Sequence, residues 1–115
     1  MMKVNILGAE YEIIIEPRNS NRKLEQCNGY CDSSVKEIHL CDMKDDESDI
    51  MAIHNMDEYR KRALRHEIIH AFLEECGLSN NSSDSENWAV NEEMVDWIAL
   101  QFPKMLKAFR EVDCL

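Results

Sequence analysis

Residues 55–77 read NMDEYRKRALRHEIIHAFLEECG, with no proline or glycine before Gly77. Asn55 or Asp57 can cap the start of a helix, and Gly77 suits the position just after its end. Apolar residues and the two histidines fall on two sides of this helix: Leu64, Ile68, Ala71 and Phe72 on one, and Tyr59, Ala63, His66, His70 and Leu73 on the other. Because a helix that is apolar on two sides is buried on two sides, we predict that this is the central helix of the domain.

The same helix contains the string His66-Glu67-Ile68-Ile69-His70. Residues four apart lie on one helical face, so both imidazoles can reach one metal ion. Glu67 is turned by about 100° from His66 and can take a proton from a metal-activated water. The string therefore predicts a metal site. The alternative is a pair of histidines hydrogen-bonded in the core that bind no metal.

A catalytic zinc site needs a third protein ligand. No histidine follows His70, whereas residues 91–96, NEEMVD, supply carboxylates. We favour Glu92 as the third ligand, with Glu93 as its rival; the alternative for both is a solvated face. Asp96, one turn after Glu92, is placed to accept the free N–H of a ligating histidine.

The first 40 residues have the alternation of β-strands. Val4 and Ile6, then Tyr11, Ile13 and Ile15, flank a tight turn at Gly8-Ala9, and Pro17 ends the second strand. Residues 18–26 form a polar connector. Residues 29–32 and 35–40 then predict a second hairpin across Ser33-Ser34.

A second helix is expected after the polar residues 79–87. Ser83 and Glu86 resemble a capping box, and the apolar pattern runs through Trp88 to Phe102. Pro103 either kinks this helix or opens a further one. Strands followed by helices predict one α+β domain over residues 1–115: a short N-terminal antiparallel sheet, a buried motif helix and a C-terminal helix that carries Glu92.

The composition excludes several classes of protein. The chain is 44% hydrophobic and 31% charged, as ordinary globular chains are. No apolar run approaches the roughly 18 residues that cross a bilayer, and the N-terminus lacks the apolar core of a secretory signal, so we expect a cytoplasmic protein. The net charge of −10 argues against a nucleic-acid partner. The five cysteines are expected to be reduced thiols.

Residues 66–103 contain eight acidic residues and no Lys or Arg. Such a field either attracts a cation or serves only to keep the surface soluble.

His66-Glu67-x-x-His70 followed by Asn91-Glu92-x-x-x-Asp96 resembles the pattern of the gluzincins. The layout resembles the small ImmA/IrrE-like metallopeptidases and the minimal gluzincins, many of them from phages or prophages. The resemblance implies a zincin-like fold and hydrolysis of a peptide or protein substrate. It also implies that His66, His70 and Glu92 bind Zn²⁺ and that Glu67 is the general base.

The chain departs from this pattern in two ways. It lacks the C-terminal lobe that supplies a transition-state histidine in thermolysin-like enzymes, so the group that stabilises the oxyanion is unassigned. Tyr59, Tyr30 and His39 are candidates, and the alternative for each is a place in the core or on the surface. It also lacks the DNA-binding domain of repressor-cleaving relatives, so the substrate is not inferred. A SprT-like peptidase would have basic character and a later histidine or zinc ribbon, and this chain has neither.

Two other functions compete with a metallopeptidase. One is a non-catalytic, phage-type binding protein in which the zincin scaffold holds a structural metal. The other is an adaptor without metal, whose binding face would include Trp88 and Trp97. We expect both tryptophans to lie in the core, because they recur at helical spacing. The sequence leaves the oligomeric state open.

Overall fold

A four-stranded sheet occupies much of residues 2–41. In the computed structural model, which describes residues 2–81 and 87–115, the strands are β1 (Met2–Ile6), β2 (Ala9–Glu16), β3 (Gly29–Asp32) and β4 (Glu37–Cys41). They lie in the order β1-β2-β4-β3. β1–β2 and β3–β4 are the two predicted antiparallel hairpins, but β2 and β4 pair in parallel.

The prediction of an antiparallel sheet is therefore wrong for its central pair. A tight turn specifies pairing within one hairpin, but it does not specify how two hairpins join. Residues 17–36 connect β2 to β4, and a connection of this length allows a parallel return. The connection also contains two 3-10 helices, Arg18–Ser20 and Arg22–Glu25. β4 begins at Glu37 rather than at residue 35, because residues 33–36 form the turn and Lys36 has a φ of 57°.

Helix α1 (Met56–Glu75) begins and ends as predicted. The Asn55 side chain accepts a hydrogen bond from the backbone N–H of Glu58, and Gly77 has a φ of 89° just beyond the end. One side of α1 packs on the sheet through Leu64, Ile68 and Ala71. The other side contributes Leu73 and Ile69 to a cluster with Ala89, Met94 and Val95. Phe72 was predicted to be buried, but it is 41% exposed.

Helix α2 (Glu92–Glu111) begins later than predicted. Its cap is Asn91, whose side chain accepts a hydrogen bond of 2.8 Å from the Met94 N–H. Residues Trp88–Val90 form a separate 3-10 helix, and the predicted cap at Ser83 and Glu86 lies outside the described residues. Trp88 and Trp97 are 58% and 56% exposed, so the prediction that they lie in the core is wrong. No third layer covers this side of α2 in the described parts of the chain.

Pro103 lies inside α2, which continues through it, so no further helix begins there. Proline has no N–H, and the carbonyl of Ala99, four residues earlier, therefore lacks its helical donor. The Nε–H of Arg65, from α1, donates to this carbonyl at 2.6 Å. Since Ala99 is fully buried, Arg65 supplies a hydrogen bond that water cannot.

In the described parts of the chain, no helix has the length and apolar character needed to cross a membrane. All five cysteines are free thiols.

His39 lies between two carboxylates on the face of the sheet opposite α1. Its Nδ1 is 3.0 Å from Glu16 and its Nε2 is 3.0 Å from Glu37. Its ring stacks on Tyr30 with centroids 4.8 Å apart. Burial lowers the pKa of His39, but the hydrogen bonds to Glu37 and Glu16 outweigh burial and raise the pKa above its ordinary value.

We predict that Arg65→Met lowers the free energy of unfolding by about 1–3 kcal/mol, because it leaves the buried Ala99 carbonyl without a donor. The same substitution in a Pro103→Ala background should cost less, because residue 103 then supplies an N–H. Urea unfolding of the four proteins measures the difference. Equal costs in the two backgrounds would contradict this role of Arg65.

We predict that His39 stabilises the fold in a pH-dependent way. Because its pKa is raised in the folded state, the stabilisation is complete below about pH 6.5 and is lost as the pH rises through the folded pKa. The difference in unfolding free energy between wild type and His39→Gln should be larger at about pH 6 than at about pH 8.5. A difference that does not change with pH in urea titrations would rule this out.

Candidate metal centre

Three side chains from two helices converge at one point. His66 and His70 present their Nε2 atoms from α1, 3.1 Å apart. The Glu92 carboxylate lies across them from α2, with one oxygen 2.9 Å from His66 Nε2 and the other 3.0 Å from His70 Nε2. Zinc bonds of about 2.0–2.2 Å place the ligand atoms of a tetrahedral site about 3.3–3.6 Å apart. The three groups therefore fit a shared ion of this size, with a small outward adjustment.

The start of α2 places Glu92 at this point. Asn91 caps the helix, so Glu92 is its first residue and faces α1. Glu93 instead lines a surface depression with Trp88, Met94 and Trp97. Of the two acids that were rivals in the sequence, the structure brings Glu92 to the histidines and leaves Glu93 away from them.

Glu67 lies beside the two histidines and is set back in the protein. One of its oxygens is 4.0 Å from His66 Nε2, and its residue is 6% exposed. The other oxygen, Oε2, is buried and has no hydrogen-bond partner among the described residues. Burial raises the pKa of Glu67 to about 7; the nearby His66 opposes this rise and Glu92 adds to it. The ligand atoms of His66, Glu67 and His70 all lie within 4.8 Å of one another, but Glu92 is closer to both imidazoles.

Gly29 of β3 allows this burial. A Cβ atom at Gly29 would lie 3.0 Å from the His39 backbone oxygen and 3.4 Å from Glu67 Cγ. A Cβ atom at this position would therefore be tight against β4 and would already touch Glu67, and a longer side chain would have no room between the strand and the helix. The absence of a side chain lets β3 cover Glu67 directly.

Asp96 connects His66 to a second residue of α1. One Asp96 oxygen lies 3.4 Å from His66 Nδ1, and the other accepts a hydrogen bond from Arg62. The bond from Arg62 is the main cause that lowers the pKa of Asp96. Burial lowers the pKa of His70, which favours the neutral imidazole that a metal requires.

Two cavities flank Glu67 and Glu92, and Gly29 lines both. The smaller cavity, of about 290 Å³, is also lined by Tyr59, Arg62 and Asn28. The other, of about 450 Å³, extends past His70 and Glu74. The candidate centre therefore lies at the middle of a groove that follows strand β3.

The three candidates for a transition-state role lie in different places. Tyr59 lines the smaller cavity together with His66 and Glu67. Tyr30 and His39 stack on each other, and both nitrogens of His39 are occupied by carboxylates. Tyr30 also lines the larger cavity together with Glu67 and His70, whereas His39 lines neither cavity.

Sequence reasoning missed Gly29, Arg62 and Asn28. Gly29 was interpreted only as the start of a strand, although a glycine there is unusual because it weakens a strand. Arg62 lies four residues before His66 on the same face of α1, and this spacing was visible in the sequence. Nothing in the sequence placed Asn28, because its role depends on contacts across the fold.

Comparisons with family models, curated proteins and solved structures returned no match to this chain. The site is therefore interpreted from its own geometry.

We predict that Glu67→Met raises the free energy of unfolding of the metal-free protein by about 1–3 kcal/mol, because it removes a buried carboxyl oxygen that lacks a partner. Urea unfolding in the presence of a chelator measures this. Glu74→Met is the matched control: Glu74 is on the same helix but only half-buried, so no comparable gain is expected. A loss of stability in Glu67→Met would show that Glu67 contributes to the fold.

Proposed function

We propose that the protein is a zinc-dependent metallopeptidase of the gluzincin type. In this proposal His66, His70 and Glu92 hold the metal, and Glu67 is the general base. The substrate is a peptide or protein in an extended conformation. The arrangement of a motif helix beneath an edge strand supports a zincin-like fold.

The observation that carries the proposal is the convergence of the three donors beside a buried carboxylate. The His66 and His70 Nε2 atoms lie 3.1 Å apart, and each lies 2.9–3.0 Å from a Glu92 oxygen, although Glu92 is 22 residues from His70 and 26 from His66 in sequence. Glu67 adds an oxygen that has no partner within the described protein. Folded proteins leave few buried polar atoms without a partner, so an oxygen of this kind calls for a ligand, and a metal-bound water would supply one.

Zinc bound by these residues would act as a Lewis acid that polarises a carbonyl and makes water a better nucleophile at neutral pH. Glu67 would take the proton from the attacking water and give it to the amine that leaves. Its burial keeps competing water away from the carboxylate. A carboxylate that both accepts and returns a proton works best when its pKa is close to the working pH.

Asp96 and Arg62 would orient His66. With Asp96, 3.4 Å away, as the acceptor of an Nδ1–H bond, the Nε2 lone pair of His66 would be free for the metal. Arg62 holds the other oxygen of Asp96 and keeps this carboxylate charged. Both residues thus act on the metal centre through His66.

Strand β3 provides an edge for an extended substrate. The Asn28 carbonyl bonds the Cys41 N–H. Because paired residues alternate along an antiparallel ladder, Gly29 and Cys31 direct their N–H and C=O groups away from β4. In the described parts of the chain no other strand pairs with this edge. A peptide paired there would cross the candidate centre from one cavity to the other.

We predict about one zinc per chain in protein purified without a metal-affinity tag. Glu67→Gln should retain the metal, and His66→Ala should lose it. Glu92→Gln should weaken zinc binding, whereas the adjacent Glu93→Gln is the matched control and should not. Metal analysis after dialysis measures this. Wild-type protein that stays without metal after zinc is supplied would refute the centre.

Hydrolysis of labelled casein tests the reaction itself. Glu67→Gln should reduce the rate by at least about 100-fold at full zinc content, because it removes the general base. Turnover equal to wild type would contradict the mechanism. Unfolding on removal of the zinc, together with no hydrolysis, would instead support a structural metal.

A further inference from the structure

One acidic side chain of the groove takes no part in the proposed reaction. Glu74 follows His70 by four residues, so the two side chains are neighbours on one face of α1, with about 5–6 Å between their Cβ atoms. Both line the larger cavity, of about 450 Å³. Glu74 is half-buried, and its carboxylate has no hydrogen bond or ion pair with the described residues. Lys36 pairs with the adjacent Glu75 instead, so the charge of Glu74 is not compensated within the fold.

The larger cavity is acidic as a whole. Glu67 and Glu92 line it together with Glu74, and among the described residues no Lys or Arg does. In the proposed function the metal neutralises Glu92, and Glu67 accepts and returns a proton. Glu74 is then the acid of this cavity whose charge remains for the substrate.

A second observation indicates that this cavity receives a ligand. Glu67 lines it and is 6% exposed, and the Oε2 atom of Glu67 has no hydrogen-bond partner among the described residues. Polar atoms buried to this extent are almost always paired, so the cavity fits an occupant that the chain itself does not supply. Glu67 and Glu74 therefore face one binding space.

Strand β3 directs an extended peptide into this space. The Cys31 side chain packs against the core cluster between the sheet and α1, and it lines the larger cavity. Residues directly opposite each other in a β-ladder place their side chains on the same face of the sheet. A substrate residue paired with Cys31 would therefore direct its side chain toward α1, into the cavity that Glu74 lines.

The electrostatic environment of Cys31 agrees with this placement. Burial raises the pKa of the Cys31 thiol to about 12, and the charges of Glu67 and Glu74 add to the rise. Both carboxylates therefore lie close enough to act on the point where a substrate side chain would enter. A cationic side chain at this point would be stabilised by the same charges that disfavour a thiolate.

We propose that the larger cavity is a subsite for a lysine or arginine side chain of the substrate, and that Glu74 selects this side chain. The inference rests on the proposed function and names the class of substrate, a basic segment of a peptide or protein. The aliphatic part of the side chain would lie along Cys31 and Val90, which both line the cavity. Its charged group would pair with the Glu74 carboxylate.

The smaller cavity differs from the larger one in its charge. Asp96 and Arg62 both line it, and they form an ion pair with each other. Their charges are therefore already balanced within the protein. We expect selection for a basic side chain on one side of the cut only.

The register of β3 determines where the selected residue lies relative to the cut. Gly29 covers Glu67, so the reacting bond would lie beside Gly29, and Cys31 is two residues further along the strand. Two residues of a strand span about 6.6 Å. The basic residue should therefore occur at one fixed position, within about three residues of the cut.

The first test maps the cut sites of zinc-loaded protein in casein by mass spectrometry. Lysine and arginine should be enriched at one position on one side of the cut. Two peptides are then compared that carry lysine or norleucine at this position, since norleucine has the same stem without the ammonium group. The kcat/KM value should be about 10-fold higher for the lysine peptide, as expected for one charge-assisted pair that is partly screened.

Substitutions at residue 74 test whether Glu74 is the cause. Glu74→Gln should reduce the preference for lysine to less than about twofold and leave the zinc content and the rate with the norleucine peptide unchanged. Glu74→Lys should favour glutamate at the same position. Glu93→Gln is the matched control, because it removes an equal charge from the depression that faces away from the histidines, and it should keep the preference of wild type.

The second test measures binding and does not need turnover. Zinc-loaded Glu67→Gln protein is titrated in calorimetry with short alanine peptides that carry lysine or norleucine at each position in turn. At one position the lysine peptide should bind about 10-fold more tightly, and adding Glu74→Gln should remove this difference. The difference should also decrease as NaCl is raised from about 0.05 to about 0.5 M, because salt screens a half-exposed charge pair.

The inference is overturned if wild-type protein cleaves or binds the lysine and norleucine peptides equally, or if Glu74→Gln keeps the preference. It is also overturned if Glu93→Gln weakens the preference as much as Glu74→Gln does, because the overall negative field would then be the cause. Failure of the proposed function looks different: Glu67→Gln would then cleave casein as fast as wild type, or no peptide would be cleaved or bound whatever residue occupies position 74. In that case the inference about Glu74 fails with it.

Discussion

The close approach of helix α1 to strand β3 is the constraint on which the candidate site depends. Gly29 permits it, because a Cβ atom there would contact both the His39 backbone oxygen and Glu67 Cγ. With the strand this close, Glu67 is removed from water while His66 and His70, on the adjacent part of the helix, remain half-buried at the groove. The same approach brings the free edge of β3 beside the histidines. The packing of α1 against β3 therefore accounts for three features together: the burial of Glu67, the accessible nitrogens of the two histidines and the free edge for an extended chain.

The second requirement is that α2 stays in register with α1, since Glu92 and the histidines belong to different helices. Apolar contact of Leu73 and Ile69 with Val95 and Met94 holds the helices together but does not by itself fix their axial position. Arg65 does so, because it bonds the one carbonyl that Pro103 leaves without a helical donor. The Arg62–Asp96 pair adds a second polar contact one turn away.

Local features were predictable from the sequence, and features that depend on distant contacts were not. The bounds of α1 follow from Asn55, which caps its start, and from Gly77, which lies just beyond its end. The four-residue spacing of His66 and His70 put both on one face of this helix. The parallel pairing of β2 with β4 depends on the path of a 20-residue connection, for which the sequence offers no pattern. Trp88 and Trp97 were misjudged because helical spacing shows which residues share a face but not whether another layer covers that face. The proximity of Glu92 to the histidines agrees with the expected ligand set, whereas metal binding and catalysis stay predictions.

The length of β3 limits how tightly a chain could be held by its backbone alone. The strand has four residues, and only Gly29 and Cys31 direct their N–H and C=O groups outward. Four such bonds, at a net value of about 1 kcal/mol each, correspond to a dissociation constant of about 1 mM. Main-chain pairing would therefore set the direction and alignment of an occupant but contribute little discrimination between sequences. Selectivity would have to come from the side chains that enter the two flanking cavities.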